Sequence, residues 1–249
     1  MKHFKGIIHV HSDFSYDGQH SLKEIAVFAK KRGYHFVGMS EHSDTFNEEK
    51  MAEYLKECQK VSSPDCLIIP GIEFTCDQNL HLIGLGVENY IDSKDPFVVA
   101  RHIHEQNGVT IIAHPSRSDY QLPINLASAV DGIEVWSVAY DGRFVPNNHS
   151  LNLIKKMRKE NVSIIAFGGQ DLHRIMDNCN VEITVSGNGG SRLTILHALK
   201  EGHFTVSNFY FRLDSRNELS RLELIQIYLG RQIYTLTKII RNQLFPKHE

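Results

Sequence analysis

The stretch Gly6-Ile7-Ile8-His9-Val10-His11-Ser12 predicts both the kind of fold and the kind of site in this chain. It is an apolar run with the length of a short buried strand, and it ends in two histidines one residue apart. Because side chains alternate across a strand, we expect His9 and His11 on the same face. Two imidazoles delivered to one place are typical of a metal-binding strand end. A polar strand end that meets its loop is the other interpretation of so short a motif.

The composition is that of a single globular domain of barrel or doubly wound size, which we expect to cover residues 1–249. The formal net charge of −2 provides no global basic field for a nucleic-acid backbone, although a local patch stays open. Histidine is the outlier with 15 residues, and it is the commonest metal ligand.

The chain shows no targeting or membrane signal. The segment from Met1 to Lys5 has no signal-peptide character, and no stretch approaches the length of a transmembrane helix. The four cysteines form no CxxC pair, so we expect reduced packing residues in a cytoplasmic protein.

Predicted strands alternate with predicted helices along the first two-thirds of the chain. The strands cover residues 5–11, 35–40, 67–72, 80–87, 109–113, 132–138 and 163–167, and helices lie near 21–33, 47–61, 95–108 and 149–160. This alternation predicts an α/β fold with a parallel sheet, and seven strands in this length favour a closed barrel. His81 opens its strand instead of ending it, so we expect an antiparallel or distorted segment there.

Nine residues of metal-ligand type lie at or near these strand ends, and most follow the C-terminal end, where barrel active sites lie. They are His9, His11, Asp17, His42, Glu73, His81, His114, Asp171 and His173. A catalytic zinc usually takes three ligands from the protein, so nine ligands suit a cluster of two or three divalent ions.

The motifs that carry these residues appear in the order of a known family. They are His9-Val10-His11-Ser12 with Asp17-Gly18, Ser40-Glu41-His42, Gly71-Ile72-Glu73, His81-Leu82-Ile83-Gly84, Ile112-Ala113-His114-Pro115 and Gly169-Gln170-Asp171-Leu172-His173. Together they resemble the PHP (polymerase and histidinol phosphatase) superfamily of metal-dependent phosphoesterases. The chain departs from that pattern at Glu41, where the family usually has Asp, a change that could alter the tuning of nearby ligands.

The resemblance implies a distorted (β/α)7 barrel with up to three metal ions at the C-terminal mouth of the strands. It assigns one ion to His9, His11, Glu73 and Asp171, a second to Glu73, His81 and His114, and a third to Asp17, His42 and His173. Glu73 would bridge two ions, and Glu73 and Asp171 count among the catalytic residues. Mixed histidine and carboxylate ligands accept Mn, Zn or Fe.

Two arginines follow predicted ligands and suit the recognition of a phosphate. Arg117 comes three residues after His114, and Arg174 directly follows His173. A guanidinium can hold a phosphate through two parallel hydrogen bonds, which makes Arg117 a candidate catalytic residue. Both positions also suit ordinary surface arginines. Asp13 and Asp44 are either proton shuttles or plain loop residues.

The last third of the chain carries less chemistry. Residues 174–190 have the composition of a flexible loop, and residues 217–245 predict a long amphipathic helix. That helix can pack on the barrel, or it can form a homodimer contact. A basic tail from Arg231 to Lys247 would also suit an anionic membrane surface.

The function that this pattern favours is hydrolysis of a small phosphomonoester such as a nucleotide, a sugar phosphate or histidinol phosphate. A nuclease that trims nucleic-acid ends is the first alternative, and the net charge does not favour it. A non-catalytic metal-binding accessory module is the second alternative. Hydrolysis of a C–N bond by a related mechanism also stays open.

Overall fold

A computed structural model describes residues 2–187 and 189–244, except for the side chains of residues 124, 238, 239 and 241–244. The strands are β1 Lys2–Val10, β2 Phe36–Met39, β3 Glu41–His42, β4 Leu67–Ile69, β5 Gly71–Thr75, β6 His81–Leu85, β7 Val109–Ile112, β8 Gly132–Ser137, β9 Ile165–Gly169, β10 Glu182–Gly187, β11 Phe204–Ser207 and β12 Arg212–Asp214. The helices are α1 Leu22–Lys31, α2 Glu48–Val61, α3 Pro96–Glu105, α4 Val138–Asp141, α5 Asn148–Met157, α6 Arg192–Lys200 and α7 Arg221–Leu244.

The strands form two six-stranded sheets, which confirms the mixed α/β class. One sheet has the order β12-β11-β10-β1-β2-β4, and the other has the order β3-β5-β6-β7-β8-β9. Only Ser40 separates β2 from β3, and only Pro70 separates β4 from β5, so the two sheets adjoin along the chain at these residues. Proline has no N–H for a ladder hydrogen bond, which explains why the predicted strand at 67–72 is interrupted.

The strand β6 confirms the prediction that His81 opens a segment of different direction. It runs antiparallel to both of its neighbours, β5 and β7. Several strand pairs before and after β6 in the chain are parallel, namely β1–β2, β2–β4, β7–β8 and β8–β9. His81 therefore lies at the same end of the sheet as the residues that follow the parallel strands.

In the C-terminal third, one prediction was wrong and one differs in its bounds. The supposed loop at 174–190 contains β10, which pairs antiparallel with β1 over five residue pairs. The short alternation of β10 is hard to recognise because only its inward residues, such as Ile183 and Val185, are apolar and fully buried. The C-terminal helix begins at Arg221 instead of 217, and residue 245 lies outside the described part of the chain.

Local sequence signals set the helix starts that the sequence predicted. Ser21 accepts a hydrogen bond from the backbone of Glu24, whose side chain reaches back to Ser21 in a capping box. Asp95 caps α3 through the backbone N–H groups of Phe97 and Val98, and Pro96 occupies the first helical position. These caps fix the helices that pack outside the buried strands.

The core consists of strand residues that are buried on both faces, as the continuous apolar runs predict. Ile111, Ile112, Ile165 and Phe167 are all inaccessible or nearly so. The four cysteines are free, and three of them are buried. Within the described residues, no helix combines the length and the apolar character that crossing a membrane requires.

Candidate metal centre

All nine predicted ligand residues come together at one end of the strands. His9, His42, Glu73 and His81 lie within strands β1, β3, β5 and β6. The others lie in segments that directly follow a strand, and these are His11, Asp17, His114, Asp171 and His173. Most of these side chains are buried, whereas Asp17 and His173 are partly exposed at 36% and 27%. The cluster thus has two parts, a buried floor and an accessible rim. The rim consists of Asp17, His42 and His173, and the floor consists of His9, His11, Glu73, His81, His114 and Asp171.

Glu73 lies at the centre of the cluster, and its two carboxylate oxygens face different groups of histidines. Oε1 lies 2.7 Å from Nδ1 of His81 and 2.7 Å from Nε2 of His114. Oε2 faces three other imidazoles, those of His9, His11 and His42, at 3.1–3.6 Å. A carboxylate with one oxygen on each side has the geometry that bridging two ions requires.

Four ligand atoms form a cage in the buried part of the cluster. Nε2 of His9 lies 3.6 Å from Oε2 of Glu73 and 3.4 Å from Oδ1 of Asp171. Nε2 of His11 lies 3.6 Å and 3.3 Å from the same two oxygens. Ligands held about 2.1 Å from one ion in tetrahedral geometry lie roughly 3.4 Å apart. The spacing of these four atoms therefore fits a single divalent ion.

The orientation of His9 depends on Glu134, a residue to which the sequence assigned no role. Oε1 of Glu134 lies 2.8 Å from Nδ1 of His9, so Nδ1 donates a hydrogen bond to this carboxylate and Nε2 faces the centre of the cluster. A Cβ at position 169 would collide with Oε1 of Glu134, so Gly169 is needed for this approach. A carboxylate inside the apolar strand Gly132-Ile133-Glu134-Val135-Trp136 was the available signal.

Three residues of the cluster have positive φ angles, which non-glycine residues seldom adopt. These are His9 at 62°, His114 at 21° and Asp171 at 49°. At His9 the register between β1 and β2 shifts, so a bulge interrupts the regular alternation of side chains. Simple alternation therefore explains the convergence of His9 and His11 only in part. Strain of this kind is characteristic of functional sites, where the surrounding structure holds it.

A second set of ligand-type residues forms the rim. Nε2 of His42 lies 3.2 Å from Oδ1 of Asp17, and Nε2 of His173 lies 3.2 Å from Oδ2 of the same residue. The ring of His173 stacks on that of His11 with centroids 4.2 Å apart, so His11 borders both the floor and the rim. The atoms of His11, Asp17, His42 and His173 are close enough together to hold an ion.

Burial and charge set the protonation of the floor residues. Burial lowers the pKa of His11 to about 4, which keeps its imidazole neutral. Although burial opposes it, the neighbouring carboxylates of Glu134, Asp171 and Glu73 raise the pKa of His9 well above its usual value. Despite its burial, the imidazoles around Glu73 hold the pKa of its carboxyl well below the usual range. Glu73 is therefore a carboxylate at neutral pH.

Glu41 lies behind the rim and contacts hydroxyl groups instead of the cluster itself. It accepts hydrogen bonds from Ser12 Oγ and Ser15 Oγ at 2.6 Å each. Ser15 in turn accepts a hydrogen bond from the backbone N–H of His42 at 3.0 Å. Burial raises the pKa of Glu41 to about 7, and the two serines oppose that rise.

Two tyrosines that the sequence did not single out cover the cluster on the solvent side. The ring of Tyr16 stacks on His42 with centroids 4.8 Å apart, and the ring of Tyr140 lies 4.7 Å from that of His114. Arg117 is exposed on the 3-10 turn Pro115–Ser118. Burial raises the pKa of both tyrosines, and the positive charge of Arg117 counteracts this effect. Arg117 thus lies within electrostatic range of both sides of the mouth.

The other predicted polar residues form hydrogen bonds with groups outside the nine ligand-type residues. Arg174 is exposed and donates from Nε to Asp177 at 2.7 Å, in an ion pair that is open to solvent. Asp44 is exposed and accepts a hydrogen bond from Thr75 Oγ1 at 2.8 Å. Asp13 is exposed, and its backbone N–H bonds to the carbonyl of His20.

The donor set fits divalent metal binding. Buried ligand atoms that face the centre of the cluster lack hydrogen-bond partners within the described chain, and they include His9 Nε2, His11 Nε2, Glu73 Oε2 and His173 Nε2. A buried polar atom without a partner lowers the stability of the folded protein, so these atoms require a partner. A metal ion that accepts their lone pairs supplies that partner.

A comparison with family models matches residues 8–242 to the PHP domain, which confirms the resemblance of the motifs. The comparison with curated proteins found no match.

Solved structures show the same fold at low sequence identity. A two-domain protein from Bacteroides vulgatus, described as containing a predicted PHP-like metal-dependent phosphoesterase, has a TM-score of 0.65 at 16% identity, over 92% of this chain and 70% of that one. A putative metal-dependent phosphoesterase from Bifidobacterium adolescentis has a TM-score of 0.53 at 16% identity, over 79% and 96%. A lesion-specific endonuclease from Pyrococcus furiosus has a TM-score of 0.57 at 15% identity, over 82% of this chain and 58% of that one.

Proposed function

The chain belongs to the PHP domain family, and we propose that it is a metal-dependent hydrolase of a small phosphomonoester. The observation that carries this proposal is the position of Glu73, whose two oxygens face separate sets of imidazoles in a buried cluster. Such a bridge would hold two ions close enough to act on one phosphate.

The proposal assigns the nine residues to three ion positions. His9, His11, Glu73 and Asp171 would hold the first ion, and Glu73, His81 and His114 would hold the second. Asp17, His42 and His173 would hold the third, with His11 at its border. Mn, Zn and Fe all suit this mixed set of nitrogen and oxygen donors.

Ions bound at these positions would activate water for attack on phosphorus and would neutralise the charge that develops in phosphoryl transfer. The protein residues hold the ligand atoms in place, and Glu73 and Asp171 stay ionised to do so. Arg117 would bind the phosphate at the mouth, where its guanidinium can form two parallel hydrogen bonds. Tyr16 and Tyr140 would border the part of the substrate that leaves.

Closure of the strands into a seven-stranded barrel belongs to the same proposal. Backbone hydrogen bonds between β1 and the segment after β9 support it: Gln170 N–H donates to Ile8 at 3.0 Å, and Leu172 N–H donates to His9 at 3.0 Å. A cytoplasmic location is likewise proposed, because the four cysteines are free.

A phosphate-release assay tests the proposed reaction. Purified protein would be incubated with nucleotides, sugar phosphates and histidinol phosphate, and Mn, Zn and Fe would be added one at a time. We expect release from at least one monoester, and we expect Glu73→Gln to abolish it and to lower the metal content. Glu57→Gln, which changes a partly exposed glutamate paired with Lys60, is the matched control and should retain both.

The other functions predict different results in the same assay. Short oligonucleotides would be added as further substrates, and release of nucleotides from their ends without release of phosphate from any monoester would show a nuclease. Metal binding without turnover of any substrate would show an accessory module.

A further inference from the structure

The C-terminal helix α7 carries apolar residues on two opposite sides. One side faces the body of the protein: Ile227 is fully buried, Tyr234 packs against Gly142, and Gly230 lies against Val145. Arg231 donates from Nη1 to the carbonyl of Asp141 at 2.6 Å. These contacts dock the helix, yet they use only one of its faces.

The outer face holds a continuous stripe of six large aliphatic side chains. Each is 53–74% exposed, and they are Leu222, Ile225, Leu229, Ile233, Leu236 and Ile240. With 3.6 residues per turn, the six fall within an arc of about 80° that points away from Ile227 and Tyr234. The stripe runs along about 27 Å of helix. An apolar surface this continuous on a protein exterior indicates a binding site.

The spacing of the stripe suits pairing with another helix. The six residues form three pairs that are eleven positions apart: Leu222 with Ile233, Ile225 with Leu236, and Leu229 with Ile240. An eleven-residue repeat has about 3.67 residues per turn, so the stripe stays on one side of an almost straight helix. A second helix can follow such a stripe along its whole length.

The residues that flank the stripe favour an identical partner. Gln226 and Gln232 lie on either side of it at mid-length, and neither carries a charge. Two copies of the helix can therefore approach without the repulsion between like charges that identical charged flanks would create. A helix that lies on an anionic membrane would instead carry Lys or Arg at these positions. A two-fold axis would bring the same stripe of both chains together.

We propose that the outer face of α7 pairs with the same face of a second copy of the chain to form a homodimer. This pairing does not depend on the proposed reaction, because the stripe contains no residue of the metal centre.

Light scattering coupled to size-exclusion chromatography of the full chain tests the proposal. We expect a mass twice the 28.4 kDa of one chain over a wide range of protein concentration. The double variant Leu229→Glu, Ile233→Glu places charges in the seam and should raise the dissociation constant of the dimer by about 100-fold or more. Leu193→Glu changes an exposed aliphatic residue at the start of α6 and should leave the dimer intact.

Circular dichroism of each variant distinguishes loss of pairing from loss of folding, and Leu229→Gln provides a milder variant that should weaken the dimer without a charge. A monomeric wild-type chain at high concentration would overturn the proposal, as would a double variant that stays folded and dimeric. Wild-type protein that is monomeric and co-sediments with vesicles of phosphatidylserine and phosphatidylcholine would show that a membrane covers the stripe instead.

Discussion

Glu134 and His9 are joined by a 2.8 Å contact between Oε1 of the carboxylate and Nδ1 of the imidazole. Both residues are fully buried. The second oxygen of Glu134 accepts a hydrogen bond from the backbone N–H of His114, also at 2.8 Å. One carboxylate thus positions two segments of the metal centre, one on each side of Glu73. A contact of this kind orients a ligand and raises its basicity.

Replacing Glu134 with Gln should lower the metal affinity by about 10- to 100-fold. In the amide an NH2 group replaces one of the two carboxylate oxygens, so either Nδ1 of His9 or the backbone N–H of His114 loses its acceptor. Competition with a chelator of known affinity measures the change, and Glu57→Gln is the control. An unchanged affinity in folded Glu134→Gln protein would show that the contact does not support the metal centre.

Substitutions in the floor and in the rim should remove different ions. His9→Ala takes away a ligand of the buried cage, whereas His42→Ala takes away a ligand that faces Asp17 on the rim. We expect each variant to lose part of the bound metal, with His42→Ala retaining the ion of the cage. Elemental analysis gives the number of ions per chain. Complete loss of metal in both variants would contradict the assignment to separate ion positions.

The two arginines near the cluster should behave differently. Arg117→Gln removes a charge at the mouth, and we expect kcat/KM for a phosphomonoester to fall by about 10- to 100-fold at unchanged metal content. Arg174→Gln should have a smaller effect, because Arg174 is paired with Asp177 in solvent. Steady-state kinetics and elemental analysis check both variants. Equal losses would place Arg174 on the substrate too, and no loss in Arg117→Gln would remove Arg117 from the phosphate site.

Asp141 should make stability depend on pH. Burial raises the pKa of its carboxyl to about 6, although hydrogen bonds from Asn147 and Ser137 oppose the rise. Because the pKa is higher in the folded state, the folded protein binds the proton more tightly. The stabilising contribution is present at low pH and is lost as the pH rises through 6.

The free energy of unfolding should therefore lose about 1–1.5 kcal/mol from this group between about pH 5 and pH 8. In Asp141→Asn this group cannot titrate. The free energy of unfolding of the wild type minus that of the variant should therefore decrease from about pH 5 to pH 8. Denaturant unfolding at both pH values, with the metal chelated, measures the difference. A difference that does not change with pH would show that Asp141 keeps an ordinary pKa.

The sequence predicted the main strands and helices up to residue 167, and their order, because their signals are local. The capping box of Ser21 and Glu24 and the Asp95-Pro96 start of α3 involve neighbouring residues only. The nine ligand-type residues were recognisable because each lies in a short motif near a strand end. The reversed direction of β6 followed from His81 at the start of its strand.

The sequence did not predict contacts between residues that are far apart in the chain. The strand β10 pairs with β1 across more than 170 residues, and half of its side chains are not apolar, so its pattern resembles a loop. Tyr16 and Tyr140 cover the cluster only because separate loops meet above His42 and His114.

The sequence by itself determined which residue types meet at the metal centre, since strand ends on one side of a sheet must lie together. The tertiary structure decided how they meet. The positive φ of His9, the contact of its Nδ1 with Glu134 and the division of the two oxygens of Glu73 depend on atoms from strands far apart in the chain. Only packing in three dimensions brings those atoms within hydrogen-bond distance, and only there does a carboxylate face two sets of imidazoles.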